Sequence, residues 1–270
     1  MNTHTPEPKP RRTLHLYKWL LLLTVAIFGY GAWNAYAFRS ALKQAEALEW
    51  EVEYTDPVEE IRANWKMAFK KQTWLDGVVA VSIETGKDLQ QHLPIVERLS
   101  PMSLAIHNGQ DLPDLAAFKS LTFLKSLAIW DATNLTNLEP VGNFSALKTI
   151  WLTNAPALTN TDAIKNLVEL KSVVLEHCTA ITNLDTLKNL PALQHLDLTQ
   201  CTALTTIDAL KGNTSLRTVV LANCTGITNV DALKNHTTLA TINLKGCTAL
   251  PKEQIEALRT TIPKTIIFTD

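Results

Sequence analysis

The chain has 270 residues, 46% hydrophobic and 19% charged, with a formal net charge of −1. That length suffices for one sizeable folded region, and the near-neutral balance gives no electrostatic case for nucleic acid, whose phosphates require clustered cations. The four cysteines include no close C-x-x-C pair, so their spacing does not describe a zinc site.

Taken in chain order, residues 1–15 are polar and proline-punctuated and read as a cytoplasmic tail. Residues 16–37 are 22 mostly apolar positions interrupted only by Lys18. As a helix rising about 1.5 Å per residue they would span about 33 Å, enough to cross a bilayer. Lys9, Arg11, Arg12 and Lys18 sit on the N-terminal side, whereas Arg39 and Lys43 are soon followed by Glu46, Glu49, Glu51 and Glu53. The bias predicts a single-pass signal anchor with a cytoplasmic N-terminus and an exported remainder, periplasmic or extracellular. The alternative is a cleaved signal peptide and a secreted product, because Ala35-Tyr36-Ala37 has the small-x-small form of a cleavage site.

Residues 38–55 follow as a juxtamembrane stalk helix, since Phe38, Ala41, Ala45, Leu48 and Val52 are spaced 3, 4, 3 and 4 apart. A solvated stalk and a weakly dimerising one both fit this short seam. Asp56-Pro57-Val58-Glu59 then has the capping residue, first-turn proline and acidic residue of a helix start. Residues 56–74 are therefore predicted to form an N-terminal cap helix, with Val58, Ile61, Trp65, Ala68 and Phe69 on its apolar face.

From residue 75 to 250 one unit recurs. Leu193 to Ser215 is followed by Leu216 to Thr238 in the same pattern, a period of 216 − 193 = 23 residues. Earlier starts fall at Leu170, Leu147, Leu124, Pro101 and Val78, and a later one at Leu239, so about eight copies stack. Within each unit Leu196 and Leu198 alternate with Asp197 and Thr199, the period of two that sends one side of a strand inward and the other outward. The few apolar side chains of one unit cannot offset the entropy of ordering it, so neighbouring units must share a core. Residues 251–270 leave the pattern: Pro251 replaces the recurring threonine, Ile255 and Leu258 have helical spacing, and Lys264 to Thr269 is rich in strand formers, together a C-terminal cap.

The consensus L-x-x-L-x-L-x-x-(C/A/G)-x-x-(L/I)-T-x-x-(D/E)-x-(L/I)-K-N resembles a leucine-rich repeat, somewhat like the bacterial internalins but one residue longer per unit. The resemblance implies an α/β solenoid, an arc with a parallel β-sheet on its concave face. It also implies a non-enzymatic, cofactor-free recognition module for a protein, peptide or glycan partner. A structural scaffold that self-associates through the stalk is the alternative.

Two columns look like sites. Cys178, Cys201, Cys224 and Cys247 share one repeat position, where Gly86, Gly109, Ala132 and Ala155 stand earlier, and should form a line of inward thiols. A straight row cannot surround a metal tetrahedrally, and parallel side chains suit a disulfide poorly, so a structural ladder is expected. The resemblance implies that this position ties down the loop leaving the strand. Free thiols in an oxidising compartment would need good shielding. The second column is acidic, with Glu139, Asp162, Asp185, Asp208 and Asp231. It reads as residues capping single helical turns, with Lys165, Lys188, Lys211 and Lys234 as charge partners; calcium is the functional alternative.

Outward positions can be written by register. Trp130 and Trp151 fall on adjacent strands with His107, Asp131 and Asn154 around them, the candidate seat for a partner; the alternative is that the two tryptophans cover the backbone of the fold or meet the N-terminal cap segment. Glu176, His177, His195 and Asp197 form a second polar group further along, expected to rim that seat.

Overall fold

The computed structural model describes residues 51–55, 77–83 and 89–270, together with helical Ser40, Lys43 and Gln44. The tail, the apolar stretch 16–37, most of the stalk and the expected cap helix 56–74 lie outside the described residues. Among the described residues no helix is long and apolar enough to cross a membrane.

Ten strands form one sheet in chain order: β1 (Glu51–Thr55), β2 (Gly77–Ile83), β3 (Ser103–Ile106), β4 (Ser126–Ile129), β5 (Thr149–Thr153), β6 (Ser172–Glu176), β7 (His195–Asp197), β8 (Thr218–Val220), β9 (Thr241–Asn243) and β10 (Ile266–Phe268). β2 through β10 are parallel, and β1 pairs antiparallel with β2. The register repeats without slip: Val81, Leu104, Leu127, Ile150, Val173, Leu196, Val219 and Ile242 lie side by side. All eight are wholly buried. A one-residue slip would turn this row to solvent, so the shared core fixes the register.

Parallel neighbours require a return connection. The first return contains helix α1 (Leu89–Leu99), whose Val96 and Leu99 are buried. Later returns use a single 3-10 turn, such as Asp162–Asn166 or Asp208–Gly212. The first of these turns drops Ile164 into the core, and the second drops Leu210 together with Ala209. Helix α2 (Lys252–Thr261) forms the last return, buries Leu258 and leads into β10.

Two expectations change. Glu51 to Thr55, placed at the end of the stalk helix by its heptad spacing, is strand β1. Val52 and Tyr54 also alternate with polar neighbours, and the open hydrogen-bonding edge of β2 rewards that second pattern over the helical one. The acidic column does not cap the 3-10 turns. The backbone N–H groups of Glu139, Asp162, Asp185 and Asp231 donate instead to Oδ1 of Asn137, Asn160, Asn183 and Asn229, two residues earlier, at 2.6–3.2 Å. Asp208 N–H uses Thr206 Oγ1 in the same way. The aspartates keep their other expected role, since Lys188, Lys211 and Lys234 reach Asp185, Asp208 and Asp231 at 2.7, 2.8 and 2.5 Å. Asp162 makes no such pair with Lys165 among the described residues.

The cysteines form the inward ladder, and all four thiols are free and buried. Cys201, Cys224 and Cys247 donate S–H to the carbonyls of Leu175, Leu198 and Leu221 in the preceding repeat at 3.0–3.1 Å. These carbonyls sit where each strand gives way to its loop, so the thiol stitches one loop to the next. Burial pushes the Cys178 and Cys224 thiols from 9.0 up to about 12 and Cys247 to about 11, with Cys201 higher still. Burial in apolar surroundings penalises the thiolate, so the ladder is protonated and chemically quiet near neutrality.

Candidate functional site

Alternation places every second strand residue on the solvent face of the sheet, in three columns. The first, at the strand starts, is Ser103, Ser126, Thr149, Ser172, His195, Thr218 and Thr241. The second is Ala105, Ala128, Trp151, Val174, Asp197, Val220 and Asn243. The third, two residues further, holds His107, Trp130, Thr153, Glu176, Thr199, Ala222 and Lys245. The half-buried hydroxyls of the first column were not singled out in the sequence, although the same period marks them.

Against this background of small and polar side chains the aromatics converge. The His107 ring stacks on Trp130 with centroids 4.8 Å apart and planes 10° from parallel. Trp130 meets Trp151 at 5.9 Å and 55°. Trp151 is 38% exposed, while its column neighbour Val174 is only 5% exposed although it points away from the core. The floor beside Trp151 is thus apolar and nearly closed. Trp130 is also anchored through its backbone, which donates to the Ile106 carbonyl and accepts from Gly109 N–H at 2.8 Å. A Cβ on Gly109 would collide with the Ile129 side chain and lie 3.1 Å from the Trp130 carbonyl, so the glycine lets the loop approach that strand.

Asp131 and Asn154 join this group from the turns just past the strands, with Asn154 Nδ2 donating to Asp131 Oδ1 at 3.2 Å. The structure gives them a further reason to be there. Asp131, Asn154, His177, Gln200, Asn223 and Gly246 all have φ between 52° and 72°, the left-handed region that Asn, Asp and Gly tolerate best. This backbone requirement explains the Asn, Asp and Gly choices in that column, which the sequence reading took only as binding chemistry.

The second polar group spans two neighbouring strands and the turn after the first. His177 stands on its left-handed turn, exposed, while His195 opens β7 in the hydroxyl column. Asp197 Oδ1 accepts from Thr199 N–H at 2.9 Å and Thr199 Oγ1 at 2.7 Å. Glu176 and Asp197 remain electrostatic neighbours: partial burial, then repulsion by Asp197, raises the Glu176 carboxyl above its ordinary value, and His177 offsets part of this. Among the described residues no three His, Cys, Asp or Glu side chains are gathered as a metal site. A shallow cleft of roughly 430 Å³ lies elsewhere, between the 3-10 turns, lined by Asn137, Glu139, Asn160 and Asp162.

No protein-family model and no curated protein matches the chain. Solved structures do. The leucine-rich repeat domain of the type III effector XopL matches 98% of this chain and 97% of its own at 20% identity and a TM-score of 0.57. Internalin C2 from Listeria monocytogenes matches 74% of this chain and 84% of its own at 19% identity, again with a TM-score of 0.57. Internalin F from the same organism matches 70% of this chain but 65% of its own length, at 20% identity and a TM-score of 0.49. The in-register parallel strands, the 23-residue period and these likenesses agree that the described region is a leucine-rich repeat solenoid.

Proposed function

We propose that the solenoid is a recognition module that seats a protein partner on the solvent face of its sheet, on His107, Trp130 and Trp151, with no chemistry of its own. The mutually packed aromatics, His107 and Trp151 exposed and Trp130 half-buried between them, carry this reading. An indole left in water gains nothing for the fold, whereas rigid aromatic anchors dominate interface energies. The polar rim of Asp131, Asn154, Glu176, His177, His195 and Asp197 surrounds them on a face open to water, which suits contact better than acid–base work.

The charge asymmetry around residues 16–37 supports a module anchored by its N-terminus in the membrane with its repeats exported. Burial of all four thiols removes the objection that exported cysteines would be exposed to oxidation. Protease added to intact cells should then cleave the repeats.

The partner reading is tested by affinity capture with the full chain and with a Trp130→Ala, Trp151→Ala double variant. Truncating central anchors costs about 2–4 kcal/mol, roughly thirtyfold to several-hundredfold in affinity. The double variant should lose a specific captured protein while keeping its circular dichroism. An unchanged set of captured proteins would overturn the assignment.

A further inference from the structure

We infer that the segment seated on this face is basic: a lysine or arginine of the partner lies along Trp151, with its charged end between Glu176 and Asp197. The inference rests on the proposed recognition role and names the chemistry of what is recognised.

The register fixes the frame. Trp151, Val174 and Asp197 are successive members of one outward column, and Glu176 stands two residues beyond Val174 on the same strand and face. Neighbouring strands lie about 4.8 Å apart, so Trp151 and Asp197 flank Val174 across a gap of about 10 Å. A long aliphatic stem fits against the exposed indole of Trp151, and an ammonium or guanidinium at its end meets two carboxylates.

The charges on the face are one-sided at this place. From β3 through β8 the three outward columns contain Glu176 and Asp197 and no lysine or arginine. The cations of the sheet side sit elsewhere: Lys245 ends the third column beyond β9, three strands from Glu176, about 14 Å at about 4.8 Å per strand. Lys125, Lys148, Lys171 and Arg217 form a row just before the strand starts, and none of them joins an ion pair among the described residues. Lys171 is five positions along the strand from Glu176, about 16 Å at about 3.3 Å per residue. It therefore does not neutralise Glu176.

Neither carboxylate is consumed by the fold. Glu176 accepts no side-chain hydrogen bond from a described residue, and Asp197 commits Oδ1 to Thr199 but leaves Oδ2 available. Two like charges facing each other beside an apolar floor are unfavourable for the free protein, and a partner cation reverses the sign of that interaction. The aromatic neighbours add an attraction that an acidic or neutral segment would not feel. Such a partner also acquires a direction: its basic residue faces the ends of the strands, while the lysine row at their starts accepts an acidic residue.

The test uses the purified full chain in a zwitterionic detergent and three fluorescent nonapeptides of equal length, one arginine-rich, one glutamate-rich and one serine-rich, read by anisotropy. The arginine-rich peptide should bind saturably and weaken with salt, and the other two should bind at least about tenfold more weakly. Glu176→Gln with Asp197→Asn, which keep side-chain shape and the Thr199 hydrogen bonds, should weaken the arginine-rich peptide by at least about tenfold. Trp151→Ala should weaken it as well. Equal binding of all peptides, a preference for the glutamate-rich one, or no effect of the paired carboxamide variant would overturn the inference. If the tryptophans still govern capture of a native partner and the carboxamides do not, the recognition role stands and its basic ligand falls. If neither matters, both fall.

Discussion

Ile150 and Trp151 are consecutive residues of β5, yet they belong to columns that behave in opposite ways. The inward column runs Val81, Leu104, Leu127, Ile150, Val173, Leu196, Val219, Ile242, aliphatic at every step and wholly buried. The outward column runs Ala105, Ala128, Trp151, Val174, Asp197, Val220, Asn243 and changes character at almost every step. Both hang on the same backbone, with the same hydrogen bonds and the same strand spacing. The inward side repeats because each residue must fit the one above and below it. The outward side is released from that constraint, so a departure there, such as two adjoining tryptophans, needs a reason outside the fold.

The comparison is broken most forcefully from the buried side. Leu196→Ala in the middle of the stack should remove about 2–5 kcal/mol of stability. Trp151→Ala, on the opposite face of the sheet two repeats away, should change stability by under about 1 kcal/mol while weakening partner binding. Urea melts of both variants check this. Equal losses would mean that Trp151 supports the fold rather than a partner.

The cysteine column sharpens the same contrast through pH. Its thiols are raised above their ordinary 9.0, to about 12 for Cys178 and Cys224. A raised thiol contributes stability that is complete below the unfolded value and lost as pH climbs through the folded one. The melting temperature should therefore fall between about pH 9 and pH 12, and a Cys178→Ala, Cys224→Ala variant should show a shallower fall. In the native state the four thiols should resist a maleimide until urea unfolds the chain; fast labelling at pH 7 would contradict their burial.

The smallest effect concerns Glu176. Its carboxyl is raised, so ionisation is less favourable in the folded state than in the unfolded one. The sign follows directly: this group favours folding when protonated and loses that advantage as pH rises through its folded value. Glu176→Gln should melt slightly higher than the parent at pH 7, with the difference vanishing below the ordinary carboxylate range. A variant that gains stability as it loses ligand marks a residue kept for binding. A lower melting temperature at pH 7 would show that Glu176 supports the fold.

The 23-residue period made the parallel strands, the inward columns and the cysteine ladder legible in the sequence, because a side chain repeating in register has one geometric solution. The pairing of His107, Trp130 and Trp151 was legible for the same reason, since adjacency across strands follows from register. β1 was not, because Val52 satisfies a helical and a strand spacing at once and only the free edge of β2 decides between them. The 3-10 turns were assigned to the aspartates because D-x-x-K resembles a helix start, whereas it is the Asn two residues earlier whose Oδ1 accepts the free N–H, as an Asx turn does. The left-handed turns gave Asp131 and Asn154 a conformational reason that side-chain chemistry alone conceals.

The central claim, that the outward breaks in the repeat hold the partner, is tested most directly by photo-crosslinking from single positions of the full chain in cells. A photoreactive residue at Ala128, next to Trp151 in its column and two residues before Trp130, should trap a discrete protein adduct, and one at Lys188, on the 3-10 turns, should trap none. An adduct formed from Lys188 and absent from Ala128 would contradict the account.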